Sequence, residues 1–227
     1  MGRRSYRRTG IRLVEATLAI LVSYYVVCLI LLVAYRFVTP PTTMVQVQRR
    51  LEAIATRREY TKRREHVPLS ALPSHVPRAV VAAEDGRFWT HSGFAWAEIW
   101  AARGDAVSGG RLRGASTITQ QLMKNLFGGT YRNPVRKVYD LALTPAAELV
   151  LGKERILELY LNQVEWGWGI YGIEAGARHH YGTSATNLSR QQAAGLAALL
   201  PAPLRRTPDN TAEYRTDILR RMSHRGW

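Results

Sequence analysis

The stretch that decides the fold is Lys153-Glu154-Arg155-Ile156-Leu157-Glu158-Leu159-Tyr160-Leu161-Asn162-Gln163-Val164. Its apolar residues recur at the spacing of one face of an α-helix: Ile156, Leu157, Tyr160, Leu161 and Val164. Such a helix buries one face and needs partners to cover it. Signals for strands are sparse along the rest of the chain, so the sequence predicts a mainly α fold.

Further helical segments lie on both sides of this stretch. Ser74 can cap a helix that starts near His75 and carries apolar residues as far as Ala83. Glu84 then falls at or just past the end of that helix. The other predicted helices are Trp96–Val107, Ser116–Leu126, Pro134–Leu143 and Ser189–Leu200, while Met44 to about Tyr60 is either a polar helix or a connector.

Pro145 interrupts the helical pattern that begins at Pro134. Proline lacks the N–H that a helix interior requires, but it suits the first helical position. Pro145 therefore either kinks this helix or opens a new one with Thr144 as its N-cap.

Composition restricts the class of protein. A chain of 227 residues can form one domain with a sizeable core. Its net charge of +15 implies an acidic partner, which can be nucleic acid, anionic lipid or a phosphorylated substrate. Cys28 is the single cysteine, which excludes an internal disulfide and a zinc site built on several thiolates.

The chain is almost continuously apolar from Ala16 to Val38. Ala16 to Tyr35 supplies about the 20 residues that cross a bilayer as a helix. A cleaved signal peptide usually has a shorter apolar core, so we expect an uncleaved anchor; a long buried core helix is the alternative. Pro40 and Pro41 are expected to end this helix.

Arginines precede this span, so the positive-inside rule predicts a cytoplasmic N-terminus and places the remaining chain on the other side of the membrane. The predicted organisation has four parts. They are a basic tail over 1–15, a transmembrane helix over 16–38, a membrane-proximal connector over 39–66 and the main folded domain over 67–227.

Two adjacent carboxylates, Glu84 and Asp85, are followed by Phe88, Trp89 and His91. Glu84 taken alone could be an ordinary surface carboxylate. Aromatic neighbours can desolvate a carboxylate and raise its pKa, which suits a general acid or base. We expect His91 to hold the loop through a hydrogen bond.

A second polar stretch, Gly114–Asn125, carries hydroxyls, amides and one ammonium group. These groups suit an oxygen-rich ligand such as a sugar phosphate, although a polar helix face is the simpler interpretation. The basic segment Gly104–Gly114 before it is expected to be a flexible loop.

Five motifs in this order resemble those of the family-51 peptidoglycan glycosyltransferases, found as single-function enzymes and within bifunctional penicillin-binding proteins. The motifs are Glu84-Asp85-x-x-Phe88-x-x-His91-x-Gly93, Gly114-x-Ser116-Thr117-Ile118-Thr119-Gln120-Gln121-Leu122-x-Lys124-Asn125, Arg136-Lys137, Lys153-x-Arg155-Ile156-Leu157-Glu158-x-Tyr160-Leu161-Asn162, and Gly169-Ile170-Tyr171-Gly172-Ile173-Glu174-x-Gly176-Ala177. With no transpeptidase domain following, we expect the monofunctional type.

The resemblance implies a lysozyme-like fold with a small membrane-proximal lobe, and an enzyme that joins lipid II units through β-1,4 linkages with release of undecaprenyl diphosphate. It implies that Glu84 is the base that takes the proton from the acceptor 4-hydroxyl. The implied substrate-binding residues are Asp85, Ser116, Thr117, Gln120, Gln121, Lys124, Asn125, Arg132, Arg136 and Lys137. Of these, Asp85 is expected mainly to orient its loop.

One position departs from the family pattern. The second active-site carboxylate, four residues after Arg136, is Asp140 instead of glutamate. On a helix the two residues share a face and can pair. Because aspartate is one methylene shorter than glutamate, its carboxylate is placed differently, and this difference can alter the activity. Glu148 is a nearby carboxylate that matches a structural site of the family.

No cofactor is expected to be required, and a divalent cation, Mg²⁺ or Mn²⁺, is left open at the pyrophosphate. The expected partners are lipid II, the growing glycan strand, membrane lipids and cell-wall synthesis proteins, with no nucleic acid. Two other functions stay open: a membrane-anchored hydrolase of the same glycan, and a catalytically weakened glycan-binding scaffold.

Overall fold

The computed structural model of the protein describes residues 2–96, 116–131 and 134–227. Within these residues the chain is mainly helical, as predicted. The helices are α1 (Gly2–Tyr35), α2 (Met44–Thr56), α3 (His75–Glu84), α4 (Ile118–Met123), a π-helix (Lys124–Gly128), α5 (Pro134–Gln163), α6 (Ile173–Tyr181), α7 (Arg190–Ala197) and α8 (Ala212–His224). Short 3₁₀ turns cover Leu69–Ala71, Ala185–Asn187 and Asp209–Thr211.

α1 contains an apolar segment, Arg12–Tyr35, of 24 residues. At about 1.5 Å per residue this segment is long enough to cross the hydrocarbon of a bilayer. The helix ends at Tyr35, ahead of the prolines expected to end it, and the amide of Arg36 donates to the carbonyl of Leu32. The predicted boundaries of the four parts of the chain stay predictions.

The C-terminal half of α1 packs against α5. Cys28 and Leu32 are buried in this contact. The Tyr139 hydroxyl donates to the Leu21 carbonyl at 2.9 Å, and the Arg155 guanidinium donates to the Tyr35 carbonyl at 2.9 Å. The anchor helix is therefore attached to the rest of the protein by contacts that run from Tyr139 to Arg155 on α5.

α5 is the central helix of the core. The predicted apolar face from Ile156 to Val164 is buried, as expected. α4 packs along α5, while α3 packs against α7 and α8 on another side. The start of α3 at His75 agrees with the prediction, but the Ser74 side chain makes no capping hydrogen bond.

The helix continues through Pro145, and Thr144 is not an N-cap. The Thr144 hydroxyl instead donates to the Asp140 carbonyl at 2.7 Å, inside the helix. The break in α5 comes at Gly152, whose φ of +74° is a value that residues with a side chain rarely adopt. The two alternatives predicted at Pro145 therefore misplace the kink.

A small sheet in the order β1-β3-β2 closes one end of α5. Its strands are β1 (Arg63–Arg64), β2 (Glu165–Gly167) and β3 (Ile170–Tyr171), with β1 parallel and β2 antiparallel to β3. The Asn162 side chain anchors the segment after β1 by bonding the backbone N–H and C=O of Val67, both within 2.9 Å. The predicted helix beyond Trp96 and the basic loop Gly104–Gly114 lie outside the described residues.

Candidate active site

Glu84 is the last residue of α3, and its side chain is half-buried. Its Oε2 accepts a hydrogen bond of 2.7 Å from the Gln121 amide nitrogen. The Gln121 carbonyl oxygen accepts from the hydroxyl of the fully buried Tyr160 at 2.8 Å. Because the oxygen of the amide is already bonded, its NH₂ group is the one directed at Glu84.

The surroundings of Glu84 change its acidity. Burial raises the pKa of Glu84 above its ordinary value, while the Gln121 hydrogen bond and the charges of Lys124 and Arg206 oppose that rise. A carboxylate with a raised pKa binds a proton more readily near neutral pH. This property suits a general base.

Asp85, the neighbour of Glu84 in the chain, is buried. It is 1% exposed, and its carboxylate accepts from the Ile118 amide at 3.0 Å and from His91 Nε2 at 2.9 Å. The other ring nitrogen of His91 accepts from the Gly93 amide at 3.0 Å. Asp85 therefore fixes the loop to the start of α4, which agrees with its expected role of orienting that loop, and its substrate contact stays a prediction.

Phe88 and Trp89 were the residues expected to desolvate Glu84. Phe88 is fully buried, with Lys153 Nζ 4.5 Å from its ring centre. Trp89 borders an apolar cavity of about 390 Å³ that Leu157 and Trp227 also line. Their effect on Glu84 stays a prediction.

Thr117 and Gln120 form a capping box at the start of α4. The Thr117 side chain accepts from the Gln120 amide at 3.2 Å, and the Thr117 amide donates to the Gln120 side chain at 3.3 Å. The Thr117 hydroxyl also donates to the Gly93 carbonyl at 2.7 Å. Both residues are under 5% exposed. They hold the second motif against the first, and the substrate contacts predicted for them stay predictions.

The second motif leaves other polar groups accessible. Ser116, Gln121 and Lys124 are partly exposed, whereas Asn125 is buried. Lys137 Nζ lies 3.4 Å from the Ser116 hydroxyl and connects this motif to α5. Arg132, another predicted substrate contact, lies outside the described residues.

Lys124 is a cation that interacts with several charged side chains of this region. Burial lowers the pKa of Lys124 and Arg136 lowers it further, while three carboxylates oppose the shift: Asp140, Glu84 and Glu165. The positive charge of Lys124 interacts with carboxylates from different segments and can also receive an anionic group of a ligand.

Asp140 and Arg136 form the ion pair that their spacing predicts. Arg136 Nη1 lies 2.7 Å from Asp140 Oδ2, and Asp140 is 3% exposed. Burial raises the pKa of Asp140, against the opposing charges of Arg136, Lys137 and Lys124. A Cβ atom at Gly128 would lie only 2.5 Å from Asp140 Oδ1, so the absence of a side chain there makes room for the pair.

Sequence reasoning missed several supporting residues. Tyr160 orients Gln121, Gly128 accommodates Asp140, and the Tyr214 hydroxyl donates to the Ala83 carbonyl at 3.1 Å beside Glu84. Arg206 is the second cation near Glu84. The Thr-x-x-Gln pattern of the capping box was a visible signal, but nothing in the sequence links residues 206 and 214 to Glu84.

Glu148 has the structural role expected of it. It accepts from the Thr119 hydroxyl at 2.6 Å and from Lys153 Nζ at 2.8 Å. Within residues 2–96, 116–131 and 134–227, no three His, Cys, Asp or Glu side chains are grouped in a way that could hold a metal ion.

A protein-family model described as Transglycosylase matches residues 50–223. The chain belongs to this family. The match begins inside the segment 39–66 that we predicted to be a connector. Membership confirms the predicted family and the lysozyme-like, mainly α domain.

Individual relatives of the chain belong to the same family. A biosynthetic peptidoglycan transglycosylase of Ectopseudomonas mendocina (strain ymp) is 47% identical over 176 residues, which is 78% of this chain and 73% of the relative. A protein of the same name from Pseudomonas putida (strain W619) is 40% identical over 87% of this chain and 86% of the relative. One from Rhodospirillum centenum is 43% identical over 89% of this chain and 86% of the relative. The transglycosylase family is thus shown over most of the chain.

Proposed function

We propose that this transglycosylase polymerises lipid II into β-1,4-linked glycan strands and releases undecaprenyl diphosphate. The observation that supports this most strongly is the placement of Glu84. It is a carboxylate with a raised pKa, oriented by Gln121 and electrostatically coupled to Lys124. A base and a phosphate-binding cation at one site are what glycosyl transfer from a diphosphate requires.

In the proposed reaction, Glu84 accepts the proton of the acceptor 4-hydroxyl as that oxygen attacks the anomeric carbon. The bond from this carbon to the diphosphate oxygen breaks on the opposite face, so the configuration inverts. Lys124, Arg136 and Lys137 balance the charge that grows on the leaving diphosphate. Asp140 keeps Arg136 in place through the ion pair.

The protein is proposed to act at the bacterial inner membrane, held by α1 with its N-terminus in the cytoplasm. Two observations support this: the apolar length of Arg12–Tyr35 and the arginines that precede it. Lipid II and the glycan strand are the proposed ligands, and cell-wall synthesis proteins are proposed partners. The proposal requires no cofactor.

The test is turnover of labelled lipid II by the full chain in detergent, resolved on a gel. We expect long strands from the natural protein and a loss of about 10²–10⁴-fold in the Glu84→Gln variant. Glu154→Gln is the matched control, because Glu154 is an exposed carboxylate on α5. Shortening of preformed strands would indicate a hydrolase, and binding without turnover a scaffold; either result would reject the proposal.

A further inference from the structure

The end of α3 that carries Glu84 is packed against α8. The Tyr214 hydroxyl donates to the Ala83 carbonyl at 3.1 Å, and Arg221 Nη1 donates to the Ala82 carbonyl at 3.4 Å. Both carbonyls belong to the last turn of α3, where C=O groups have no partner within the helix. α8 therefore fixes the backbone immediately before Glu84.

The backbone after Glu84 is contacted by the same helix end. A Cβ atom at Gly86 would overlap the guanidinium of Arg225, so this guanidinium lies directly against the loop. Arg225 follows α8, and its amide donates to the Met222 carbonyl at 3.1 Å. The chain on both sides of Glu84 thus contacts the C-terminal segment, whereas the Glu84 side chain accepts from Gln121 of α4.

Two guanidinium groups contact Tyr214. The Cζ atoms of Arg206 and Arg221 lie 5.3 Å and 5.7 Å from the centre of its ring. A cation within about 6 Å of an aromatic ring centre is attracted by the charge distribution of the ring. Arg206 Nη1 also donates at 2.8 Å to the carbonyl of Ala198, the C-cap residue of α7. Arg206 therefore connects the end of α7 to the tyrosine that holds α3.

The charged and titratable groups that face Glu84 come from several elements: Asp85, Lys124, Tyr160, Arg206 and Tyr214. Burial raises the pKa of both tyrosines, so their hydroxyls are neutral at pH 7. Lys124 and Arg206 oppose the rise in the pKa of Glu84, and Asp85 adds to it. Lys124 is already a proposed ligand of the diphosphate. Arg206 has no task in the proposed reaction, so its charge remains available to Glu84.

We infer that Arg206 is a positioning residue for Glu84, which holds Tyr214 against the end of α3 and keeps a positive charge near the carboxylate. The base must be ionised before it can accept the proton of the acceptor hydroxyl. Arg206 favours this ionised form and, through Tyr214, fixes the backbone from which the Glu84 side chain extends. The inference rests on the proposed reaction, because Arg206 has this role only if Glu84 is the base.

The test compares the pH profile of lipid II turnover in variants of the full chain in detergent. Arg206→Gln removes the charge but retains an amide that can donate to the Ala198 carbonyl, whereas Arg206→Lys retains the charge. Arg205→Gln is the matched control, because Arg205 is the exposed neighbour of Arg206 in the chain. The value of kcat is measured across the acidic limb of each profile.

We expect the acidic limb to move up by roughly 0.5–1 pH unit in Arg206→Gln, because removal of a positive charge raises the pKa of Glu84. Turnover on that limb then falls by about 3–10-fold and returns to the natural value at high pH, where Glu84 is ionised. Arg206→Lys and Arg205→Gln should keep the natural limb. An unmoved limb in Arg206→Gln, or an equal loss at every pH, would overturn the inference.

The contribution of Tyr214 is measured separately in Tyr214→Phe, which keeps the ring and both neighbouring cations but loses the hydrogen bond to the Ala83 carbonyl. We expect a loss of a few-fold in kcat at every pH and an acidic limb in its natural place. Natural turnover in Tyr214→Phe would overturn the part of the inference in which Arg206 acts through this tyrosine.

The acidity of Glu84 is also measured without substrate, by ¹³C NMR titration of protein labelled at the glutamate side-chain carboxyls. The Glu84 signal is the one that is missing in Glu84→Gln. We expect its titration midpoint to be higher in Arg206→Gln than in the natural protein and in Arg205→Gln, and equal midpoints would overturn the inference alone. A natural protein that makes no strands would overturn the proposed reaction and, with it, the role of Arg206.

Discussion

Glu84 is a half-buried and Asp140 a buried carboxylate of the candidate site, and their partners differ. Glu84 receives its hydrogen bond from a neutral amide, whereas Asp140 is held by a guanidinium on its own helix. Both partners favour the ionised form, yet burial raises the pKa of each carboxylate above its ordinary value. Acidity alone therefore does not separate the two roles; the neutral or charged partner of each carboxylate does.

After Glu84→Gln, the largest loss of turnover is expected from Lys124→Met. The charge of Lys124 interacts with both Glu84 and Asp140, and Lys124 is a proposed diphosphate ligand. Loss of one preorganised charge at a transition state typically costs about 10²–10³-fold in kcat. Single-turnover rates with labelled lipid II measure this. Lys62→Met provides the control, since this exposed lysine lies near β1. If Lys124→Met turned over lipid II as fast as the natural protein, the charge of Lys124 would not be needed by either carboxylate, and the prediction would be wrong.

Asp140→Asn removes the charge and should reduce turnover about 10–100-fold, since Arg136 loses its ion-pair partner in a buried place. Asp140→Glu restores the residue usual in the family. We expect it to be tolerated or to increase turnover, as measured by kcat and KM for lipid II. A large loss in Asp140→Glu would show that the site, including Gly128, has adapted to the shorter side chain.

Asp85→Asn should act on stability more than on chemistry. Asparagine keeps one acceptor for the Ile118 amide but loses the charge that faces His91. The expected loss is about 1–3 kcal/mol of unfolding free energy, measured by thermal unfolding in detergent. A variant that unfolds normally but cannot turn over substrate would instead support the predicted substrate contact of Asp85.

The smallest effect is expected from Tyr160→Phe, which frees the Gln121 amide to rotate. Weakening the bond from Gln121 raises the pKa of Glu84 further, because that bond favours the charged form. A general base works when it is deprotonated. The acidic limb of the pH profile of kcat should therefore move to higher pH, with a loss of a few-fold at pH 7.

Two outcomes distinguish this mechanism from simple damage to the fold in Tyr160→Phe. Turnover at high pH should return to the natural value, since Glu84 is then fully ionised. A uniform loss at every pH would show that Tyr160 supports packing and does not set the acidity of Glu84.

Much of the site was predictable because its motifs are local. The end of α3 at Glu84, the pairing of Arg136 with Asp140 and the buried face of α5 all follow from helical spacing. The capping box of Thr117 and Gln120 was also readable from spacing, yet those residues were interpreted as ligands. A polar side chain can satisfy either backbone or substrate, and sequence does not show which.

The amino-acid sequence by itself determined the family, the mainly helical fold and the apolar length of α1, since these depend on residue type and short-range periodicity. The tertiary structure decided how distant segments meet. It placed Tyr160 behind Gln121, Arg206 near Glu84 and the Tyr214 hydroxyl against the Ala83 carbonyl. Such contacts join residues far apart in the chain, and only packing of the whole core fixes which side of each helix is buried.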